Sequence, residues 1–228
     1  MLIEITGCTG AGKTTISNLV LKNLLSSNVN AKLIDVGGKL RFDLIVFPWF
    51  LWFAIRHFEF CRVTLQSLIR DADTKFNAFN IYRNFSKKIG TYHMLKTCLD
   101  RQVIVWDEGT VHAMHNLFVH VNSVPKDSDI IKFAHCIPKP DLLVYVRAPF
   151  EVIVSRTISR GHRRVGNNET DIRTFIANAI ASFEFLTKMD VIKERLLVVD
   201  NADSTLQKPQ NIANFISTYI LSNTLRFG

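Results

Sequence analysis

The residues best suited to chemistry form a glycine-rich stretch near the start of the chain, GCTGAGKT from Gly7 to Thr14. Glycines let the backbone adopt positive φ and approach an anion closely, so that the N–H groups of the loop can point at phosphate oxygens. Lys13 can reach the β- and γ-phosphates of ATP, and the hydroxyl of Thr14 can ligate Mg²⁺. The residues expected to contact the nucleotide here are Gly7, Thr9, Gly10, Ala11, Gly12, Lys13, Thr14 and Thr15.

The sequence on either side of this loop has the patterns that a phosphate-binding loop requires. The apolar run Met1–Ile5 predicts a strand, and the spacing from Thr15 to about Leu25 predicts a helix. The order strand, glycine loop and helix N-terminus is that of a P-loop, and the helix dipole adds to the attraction for phosphate. We prefer this interpretation to a chance glycine turn because all three parts are in register.

A second candidate position lies at the end of the apolar segment Val103–Trp106, where Asp107 follows. A carboxylate at the end of a buried strand is what the Mg²⁺ shell of a P-loop enzyme needs, so we expect Asp107 to share the metal with Thr14. Glu108 could orient a nucleophile or bind the substrate. A solvated loop carboxylate is an equally good interpretation of Glu108 from the sequence alone.

A group of arginines follows the predicted fourth strand. Guanidinium groups are well suited to offset the charge that develops during phosphoryl transfer. Gly161 and Gly166 could serve as hinges, so we prefer a lid at about residues 156–169 to a generic basic surface. The arginines expected in this lid, with Arg156 on the nucleotide, are Arg156, Arg160, Arg163 and Arg164.

Three histidines, His112, His115 and His120, lie in the segment after Asp107. The first two are about one helical turn apart, as metal ligands can be. The nearby sequence lacks a carboxylate or cysteine that would complete a zinc set, so we favour a helix-surface or substrate-facing role for these histidines.

The composition limits the class of protein. The chain has 228 residues, a net charge of +8 and four cysteines without a CxxC pair. The length suits one domain, and the cysteine spacing predicts a reduced, cytoplasmic protein rather than a disulfide framework. No signal peptide is expected, since the first strand begins at the N-terminus. The basic charge suits ATP but also nucleic acid or an acidic membrane.

An apolar run extends from Leu44 to Ile55 and includes Pro48. It is about a dozen residues long, whereas a membrane-spanning helix needs about 20. We therefore predict a buried helix, with an interfacial membrane helix as the alternative.

Apolar strands alternate with helices along the rest of the chain. Strands are predicted at 31–36, 102–106, 141–146 and 196–199, the one at 31–36 with both faces buried. Helical spacing without strands fills about residues 41–100. This order predicts an α/β fold, a three-layer α/β/α P-loop NTPase with a five-stranded parallel sheet. The whole chain, 1–228, is expected to be one domain, with the helical insertion at 41–100 on the acceptor side.

These motifs together resemble the thymidylate kinase-like group of P-loop kinases. The resemblance covers most of the chain in order: the P-loop, Asp35-Val36-Gly37-Gly38 after the second strand, Asp107, the lid with Glu169, and a loop at 197–204 near adenine. The chain departs from the family pattern at four positions: Thr9, where the family has Asp; Ile34, where it has Arg; and Glu108 and Gly109, where it has Arg and Tyr. All four departures fall on the acceptor side, so the resemblance implies ATP binding more firmly than it implies thymidylate as the acceptor.

The expected function is an ATP-dependent kinase of a nucleoside or nucleoside monophosphate. A hydroxyl acceptor would need a base, for which Asp35 or Glu108 could serve, whereas a phosphate acceptor would need cations such as Arg83. The catalytic residues expected are Lys13, Asp107, Glu108, Arg160, Arg163 and Asp35.

Two other classes of function stay open at this point. One is a kinase of a sugar or lipid-linked hydroxyl, and the other is a P-loop ATPase or nucleic-acid-binding switch without an acceptor. Nucleic acid is not expected, because the aromatic residues cluster in apolar helical patterns rather than on a basic surface. A homodimer is compatible with the sequence, and membrane contact through 44–55 is a disfavoured alternative.

Overall fold

A parallel sheet forms the centre of the molecule. The computed structural model describes residues 1–34, 40–71, 74–98, 102–121, 125–162, 165–166, 168–202 and 208–224. The strands are β1 (Leu2–Thr6), β2 (Ala31–Ile34), β3 (Val103–Asp107), β4 (Leu142–Arg147) and β5 (Leu196–Asp200). They pair in the order β2-β3-β1-β4-β5, all parallel, so that their carboxyl ends lie at one edge.

Helices cover both faces of this sheet. On one face, α1 (Lys13–Ser26) and α10 (Lys208–Thr224) pack on alternate strand residues such as Ile3 and Val105. The other face carries Leu2, Trp106 and Tyr145, which pack against helices from the rest of the chain. The helices in the rest of the chain are α2 (Leu40–Arg56), α3 (Phe58–Asp71), α4 (Lys75–Cys98), α5 (Ala113–Phe118), α6 (Asp127–Cys136), α7 (Phe150–Arg160), α8 (Glu169–Thr187) and α9 (Asp190–Lys193).

The predicted α/β fold with a five-stranded parallel sheet is confirmed. Three helices, α2 to α4, occupy the stretch between β2 and β3 that the sequence predicts to be helical. The prediction that β2 is buried on both faces is wrong. Among the described strands, β2 lies at the edge of the sheet, pairs with β3 alone, and leaves Lys32 exposed.

The prediction of a buried helix at Leu44–Ile55 is also wrong in part. Helix α2 runs through Pro48 and buries one side, with Val46, Phe50 and Phe53 in the core. Its other side leaves large apolar residues exposed, among them Leu44 at 72% and Ile55 at 71%. An apolar sequence does not say whether a neighbour covers each side of a helix, and here α4 covers only one.

Among the described residues, no single helix has the length and apolar composition needed to cross a membrane. Helices α2 and α3 meet the length and composition criteria only when taken together, over Asp43–Arg56 and Phe58–Arg70, and they are bent by 104° relative to each other.

Candidate functional site

The glycine-rich loop connects β1 to α1 at the carboxyl edge of the sheet. Gly7, Gly10 and Gly12 have φ values of 146°, 78° and 93°, which side chains rarely adopt. A Cβ on Gly7 would lie 2.4 Å from the Val146 carbonyl oxygen, and one on Gly12 would lie 2.5 Å from Nδ2 of Asn201. The loop therefore needs glycine both for its conformation and for the space it occupies.

Lys13 is buried at the start of α1, with 5% of its surface exposed. Its Nζ donates a hydrogen bond of 2.9 Å to the Cys8 carbonyl oxygen and lies 3.2 Å from Oε1 of Glu108. The ammonium thus lies inside the curve of the loop, where a phosphate group would be bound.

Thr14 and Asp107 are in direct contact although they come from different elements. The Thr14 hydroxyl donates to Oδ2 of Asp107 over 2.6 Å, joining the start of α1 to the end of β3. A hydroxyl and a carboxylate are oxygen ligands of the kind that Mg²⁺ prefers, and Mg²⁺ keeps several waters beside one or two such ligands. The pair therefore fits the magnesium position expected from the sequence.

Two of the arginines that the sequence predicts for a lid reach the loop from α7. Nη1 of Arg156 donates to the Gly10 carbonyl oxygen over 3.2 Å, and Nη2 of Arg160 donates to the Thr9 hydroxyl over 3.1 Å. Thr9 and both arginines line a cavity of about 420 Å³, which we call the phosphate cavity. Its other lining residues are Gly10, Gly12, Lys13, Thr14, Thr15, Glu108, Ser159, Asn201 and Pro209.

Asn201 is a site residue that the sequence analysis did not single out. It follows β5 and is 2% exposed. Its Nδ2 donates a hydrogen bond of 2.8 Å to the Ala11 carbonyl oxygen. This bond ties the loop after the last strand to the P-loop. The only sequence signal was its place in the segment 197–204, of which residues 203 and 204 lie outside the described residues.

Glu108 extends from the end of β3 into the phosphate cavity with φ of 61°, a left-handed conformation that is uncommon for a residue with a side chain. Its Oε2 lies 3.5 Å from Nε2 of His112. Burial raises the pKa of the Glu108 carboxyl, but the charges of Lys13 and Lys88 lower it well below its usual range. Burial lowers the pKa of His112 well below its usual value, so the two lysines keep Glu108 ionised at neutral pH.

Glu4 is a fully buried carboxylate in the middle of β1 that sequence reasoning missed. It accepts backbone N–H groups from His112 at 2.7 Å and Val111 at 3.1 Å, and the Thr110 hydroxyl lies 3.4 Å away. Glu4 therefore anchors the loop that follows Glu108. The sequence predicts a helix from Val111 to Val121, but α5 begins only at Ala113, after this anchor.

The Glu4 carboxylate also leaves no room for a side chain at position 109, where this chain has glycine and the kinase family that it resembles has tyrosine. A Cβ on Gly109 would lie 2.6 Å from Oε2 and 2.8 Å from Cδ of Glu4, and 3.0 Å from the Trp106 ring. Each of these atoms is buried, so none can move away at little cost.

We expect Gly109→Ala to lower the free energy of unfolding by about 1–3 kcal/mol, the usual cost of overpacking a core. Urea denaturation monitored by circular dichroism would measure it. The matched control is Gly166→Ala, whose Cβ would meet no atom of the described residues within 4 Å but would adopt an unfavourable φ of 69°. A loss of unfolding free energy in Gly109→Ala that is no larger than in Gly166→Ala would contradict the proposed packing of Gly109 against Glu4.

Burial raises the pKa of Glu4 to about 7, because desolvation outweighs its hydrogen bonds and the charge of Lys88. Between pH 4.5 and 7 the folded state keeps a proton that the unfolded state has lost. We therefore expect the Glu4 contribution to the unfolding free energy to fall by about 3 kcal/mol as pH rises through this window.

Comparison with Glu4→Gln isolates this pH effect. His112 acts in the opposite direction, because its lowered pKa makes the folded state less stable as pH falls below 6.5. As the pH rises from 4.5 to 7, the wild type should therefore lose unfolding free energy relative to Glu4→Gln. A pH-independent difference would show that Glu4 titrates normally.

The helix-surface role predicted for the histidines is wrong for His112 and His115, which are 2% and 4% exposed. Both rings pack on Phe183, with His115 stacked at a centroid distance of 5.9 Å. His120 is partly exposed and lies near the Leu117 carbonyl oxygen. The described part of the chain contains no group of three or more His, Cys, Asp or Glu side chains that could hold a metal ion.

Two other expected residues that the structure describes, Arg83 and Glu169, do not line the phosphate cavity. Asp35, Arg163 and Arg164 lie outside the described residues. Glu169 pairs with Arg173, and Arg83 pairs with Asp43 of α2. Of the described residues that were expected to meet the acceptor, Glu108 lines the phosphate cavity and Arg83 does not.

No protein-family model matches this sequence, and no curated protein sequence matches it significantly. Solved structures do match. A thymidylate kinase from Ehrlichia chaffeensis has a TM-score of 0.54 and 15% identity, covering 96% of this chain and 98% of that one. A deoxyadenosine kinase from M. mycoides, solved with bound dATP, has a TM-score of 0.53 and 18% identity, covering 96% and 99%. The likeness that the motifs indicate is thus confirmed for the fold: the chain has the α/β fold of these P-loop kinases.

Proposed function

We propose that this protein is a cytoplasmic, ATP-dependent kinase of a nucleoside or nucleoside monophosphate. The observation that carries the proposal is the convergence on one cavity of groups from four separate elements. Lys13 and Thr14 come from α1, Glu108 from the end of β3, Arg156 and Arg160 from α7, and Asn201 from the end of β5. Asp107, the last residue of β3, joins them through its hydrogen bond from Thr14. The fold it shares with a thymidylate kinase and a deoxyadenosine kinase supports the same class of reaction.

Each group around the cavity has a task that suits its chemistry. The N–H groups of the glycine loop and the ammonium of Lys13 would bind the β- and γ-phosphates. Thr14 and Asp107 would hold Mg²⁺, which offsets phosphate charge when it is bound. Arg160, already over the loop through Thr9, would offset the charge that develops at the transferred group.

We assign residues 156–169 to a lid, with α7 carrying its first part. Gly161 and Gly166 have φ of 74° and 69°, and an isolated bridge joins His162 to Gly166. Closure of this segment over the phosphates would exclude water from the reaction. In this proposal Arg163 acts from the lid, and Asp35, after β2, lies on the acceptor side.

The described residues favour a hydroxyl over a phosphate as the acceptor. Glu108 places an ionised carboxylate in the cavity where the resembling family has an arginine. A carboxylate can accept a hydrogen bond from an attacking hydroxyl and orient it, whereas it would repel the phosphate of a nucleoside monophosphate. Arg83, a cation suited to a phosphate acceptor, is engaged by Asp43.

A substrate screen tests the proposal. Purified protein would be incubated with Mg²⁺, γ-labelled ATP and a panel of nucleosides, nucleoside monophosphates and sugars, and labelled products would be separated by chromatography. We expect transfer to a nucleoside, or failing that to a nucleoside monophosphate. Transfer only to a sugar, or release of labelled phosphate without any acceptor product, would contradict the proposed substrate class.

A further inference from the structure

The outer side of helix α2 is an exposed apolar surface that has no task in the proposed reaction. Residues 44–55 include no charged side chain. Monomeric proteins rarely expose a large contiguous apolar patch, so a group of six large apolar side chains on one helix indicates an interaction site. We call this surface the outer face. Its members, each between 46% and 72% exposed, are Leu44, Ile45, Phe47, Leu51, Trp52 and Ile55.

The outer face follows one side of the helix along its length. Positions 44, 48, 51, 52 and 55 are exposed and recur at the three- and four-residue spacing of one side of an α-helix. From residue 44 to residue 55 the stripe extends about 17 Å. The hydrocarbon core of a bilayer is about 30 Å thick, so the stripe is too short to cross it. Its length suits a helix that lies in the plane of a membrane surface.

Helix α2 is fixed to the body of the protein and cannot turn to hide this face. Val46 and Phe53 are buried on its inner side. A Cβ on Gly90 of α4 would lie 2.3 Å from the Val46 carbonyl oxygen, so the two helices are in close contact. Oδ1 of Asp43 also lies 3.0 Å from Nζ of Lys87 on α4. The outer face is therefore a permanent part of the surface.

The charges beside the outer face are mainly basic. At the end of α2, Cζ of Arg56 lies 4.0 Å from the centroid of the Trp52 ring. Among the described side chains of α2 and α3, the exposed charged ones are Arg56, Arg62, Arg70 and Glu59. Glu59 pairs with Arg62 over 2.7 Å. Three arginines against one glutamate leave the border of the face positive, as is the whole chain with its net charge of +8.

This positive border favours an anionic bilayer over a second copy of the chain. A second copy seated on the outer face by a twofold axis would bring the same arginines towards each other, and like charges across an interface are unfavourable. Anionic lipid headgroups attract them instead. Tryptophan is enriched at the level of the headgroups, and an arginine can bury its aliphatic stem while its guanidinium stays in the polar layer. Trp52 and Arg56 have this combination at the end of the stripe.

We propose that the outer face of α2 docks the protein on the surface of an anionic lipid bilayer. The apolar stripe lies at the boundary between headgroups and acyl chains, and Arg56 binds lipid phosphate at its end. The contact is peripheral and does not depend on the proposed kinase reaction. It is the interfacial helix that the sequence leaves as an alternative, because the buried helix preferred there is covered on one side only.

Sedimentation with lipid vesicles tests the docking. The purified protein would be mixed with vesicles of phosphatidylcholine alone, or of equal parts of phosphatidylcholine and phosphatidylserine, and the bound fraction measured after centrifugation. We expect binding to the mixed vesicles that is at least about tenfold tighter than binding to phosphatidylcholine alone. Higher salt should weaken it by screening the arginines from the headgroups. Equal binding to both vesicles would overturn the proposed role of the positive border.

Ile55→Glu tests whether the outer face makes the contact. A carboxylate in the stripe should weaken binding to the mixed vesicles at least about tenfold. The side chain is 71% exposed, so the Tm should stay that of the wild type. The matched control is Phe215→Glu, which changes a residue 54% exposed on α10, at the opposite face of the sheet, and should bind as the wild type does. If Ile55→Glu does not fold, Leu44→Glu at the other end of the stripe replaces it.

Arg56→Gln tests the charge at the end of the stripe. It should weaken binding to the mixed vesicles about fivefold, the factor expected for one basic group near an anionic surface. Lys22→Gln removes an exposed charge from α1 and is the matched control. Equal losses in the two variants would mean that the overall charge of the protein, rather than this surface, attracts the lipid, and would overturn the proposal.

The fluorescence of Trp52 gives a separate readout of lipid contact. Mixed vesicles with brominated acyl chains should quench it, because the ring would lie at the boundary of those chains. Most of the quenching should be lost in Trp52→Phe, since Trp106 is fully buried and Trp49 is partly buried. Equal quenching in wild type and Trp52→Phe would contradict the proposed orientation of α2.

The mass in solution separates a lipid surface from a second copy of the chain. Without vesicles, analytical ultracentrifugation should give a monomer of 26.0 kDa. A wild-type dimer that Ile55→Glu converts to a monomer would mean that a second copy covers the outer face, and would overturn the proposal. Absence of binding to the mixed vesicles would overturn it as well. The kinase proposal would stand in either case, because its substrate screen uses no lipid.

Discussion

Lys13→Ala should lower the rate of phosphoryl transfer at least a few hundredfold. Loss of a charged contact that is strongest in the transition state costs about 3–4 kcal/mol. Lys13 also contacts Glu108 and the Cys8 carbonyl oxygen, so the variant leaves Glu108 with one cation fewer. Single-turnover transfer from γ-labelled ATP would measure the effect on the chemical step.

The fold should survive this change, because the buried apolar residues of α1 are Ile16, Val20 and Leu24 rather than Lys13. Lys22→Ala is the matched control, since it removes the same charge from an exposed position on the same helix. A Lys13→Ala enzyme with turnover close to that of Lys22→Ala would exclude a P-loop role for Lys13.

Asp107→Asn should reduce Mg²⁺-dependent transfer by about a hundredfold, the upper end of the usual cost of changing a residue that supports a metal. Asparagine keeps the shape and can still accept the Thr14 hydroxyl, but it lacks the charge that holds the metal shell. The Mg²⁺ concentration for half-maximal rate should rise, whereas nucleotide binding measured without Mg²⁺ should change little.

Asp127→Asn serves as the control for this variant, since Asp127 is exposed in the first turn of α6, outside the phosphate cavity. It should leave the Mg²⁺ dependence unchanged. Wild-type turnover and an unchanged Mg²⁺ optimum in Asp107→Asn would mean that Asp107 is the last residue of β3 and has no part in holding the metal.

The sequence was sufficient to predict the parts of the site that depend on local order. The P-loop, Asp107 and the pair Arg156 and Arg160 each follow from spacing within one element. Residues of the P-loop and both arginines line one cavity, and Asp107 accepts the hydrogen bond of Thr14 beside it. Their proximity across elements follows from the parallel sheet, because parallel strands end at the same edge.

The missed residues depend on contacts between distant elements. A glutamate inside an apolar strand gives no sign of its partners, and Glu4 meets residues 110–112 only because β1 and β3 are neighbours. Lys88 looks like a surface lysine in the sequence of α4. It is buried in the structure, where α4 packs against other helices such as α2 and α5. The exposed side of α2 could not be predicted either, since coverage of a helix depends on its neighbours.

The most direct test of the whole account is to follow ATP and acceptor together in one reaction. Wild-type protein, Mg²⁺, γ-labelled ATP and the best nucleoside from the screen would be sampled over time for ADP and labelled product. The account predicts one phosphorylated acceptor for each ADP formed, with both products lost in Lys13→Ala. ADP formation that is unchanged when the acceptor is left out, or that continues in Lys13→Ala, would contradict it.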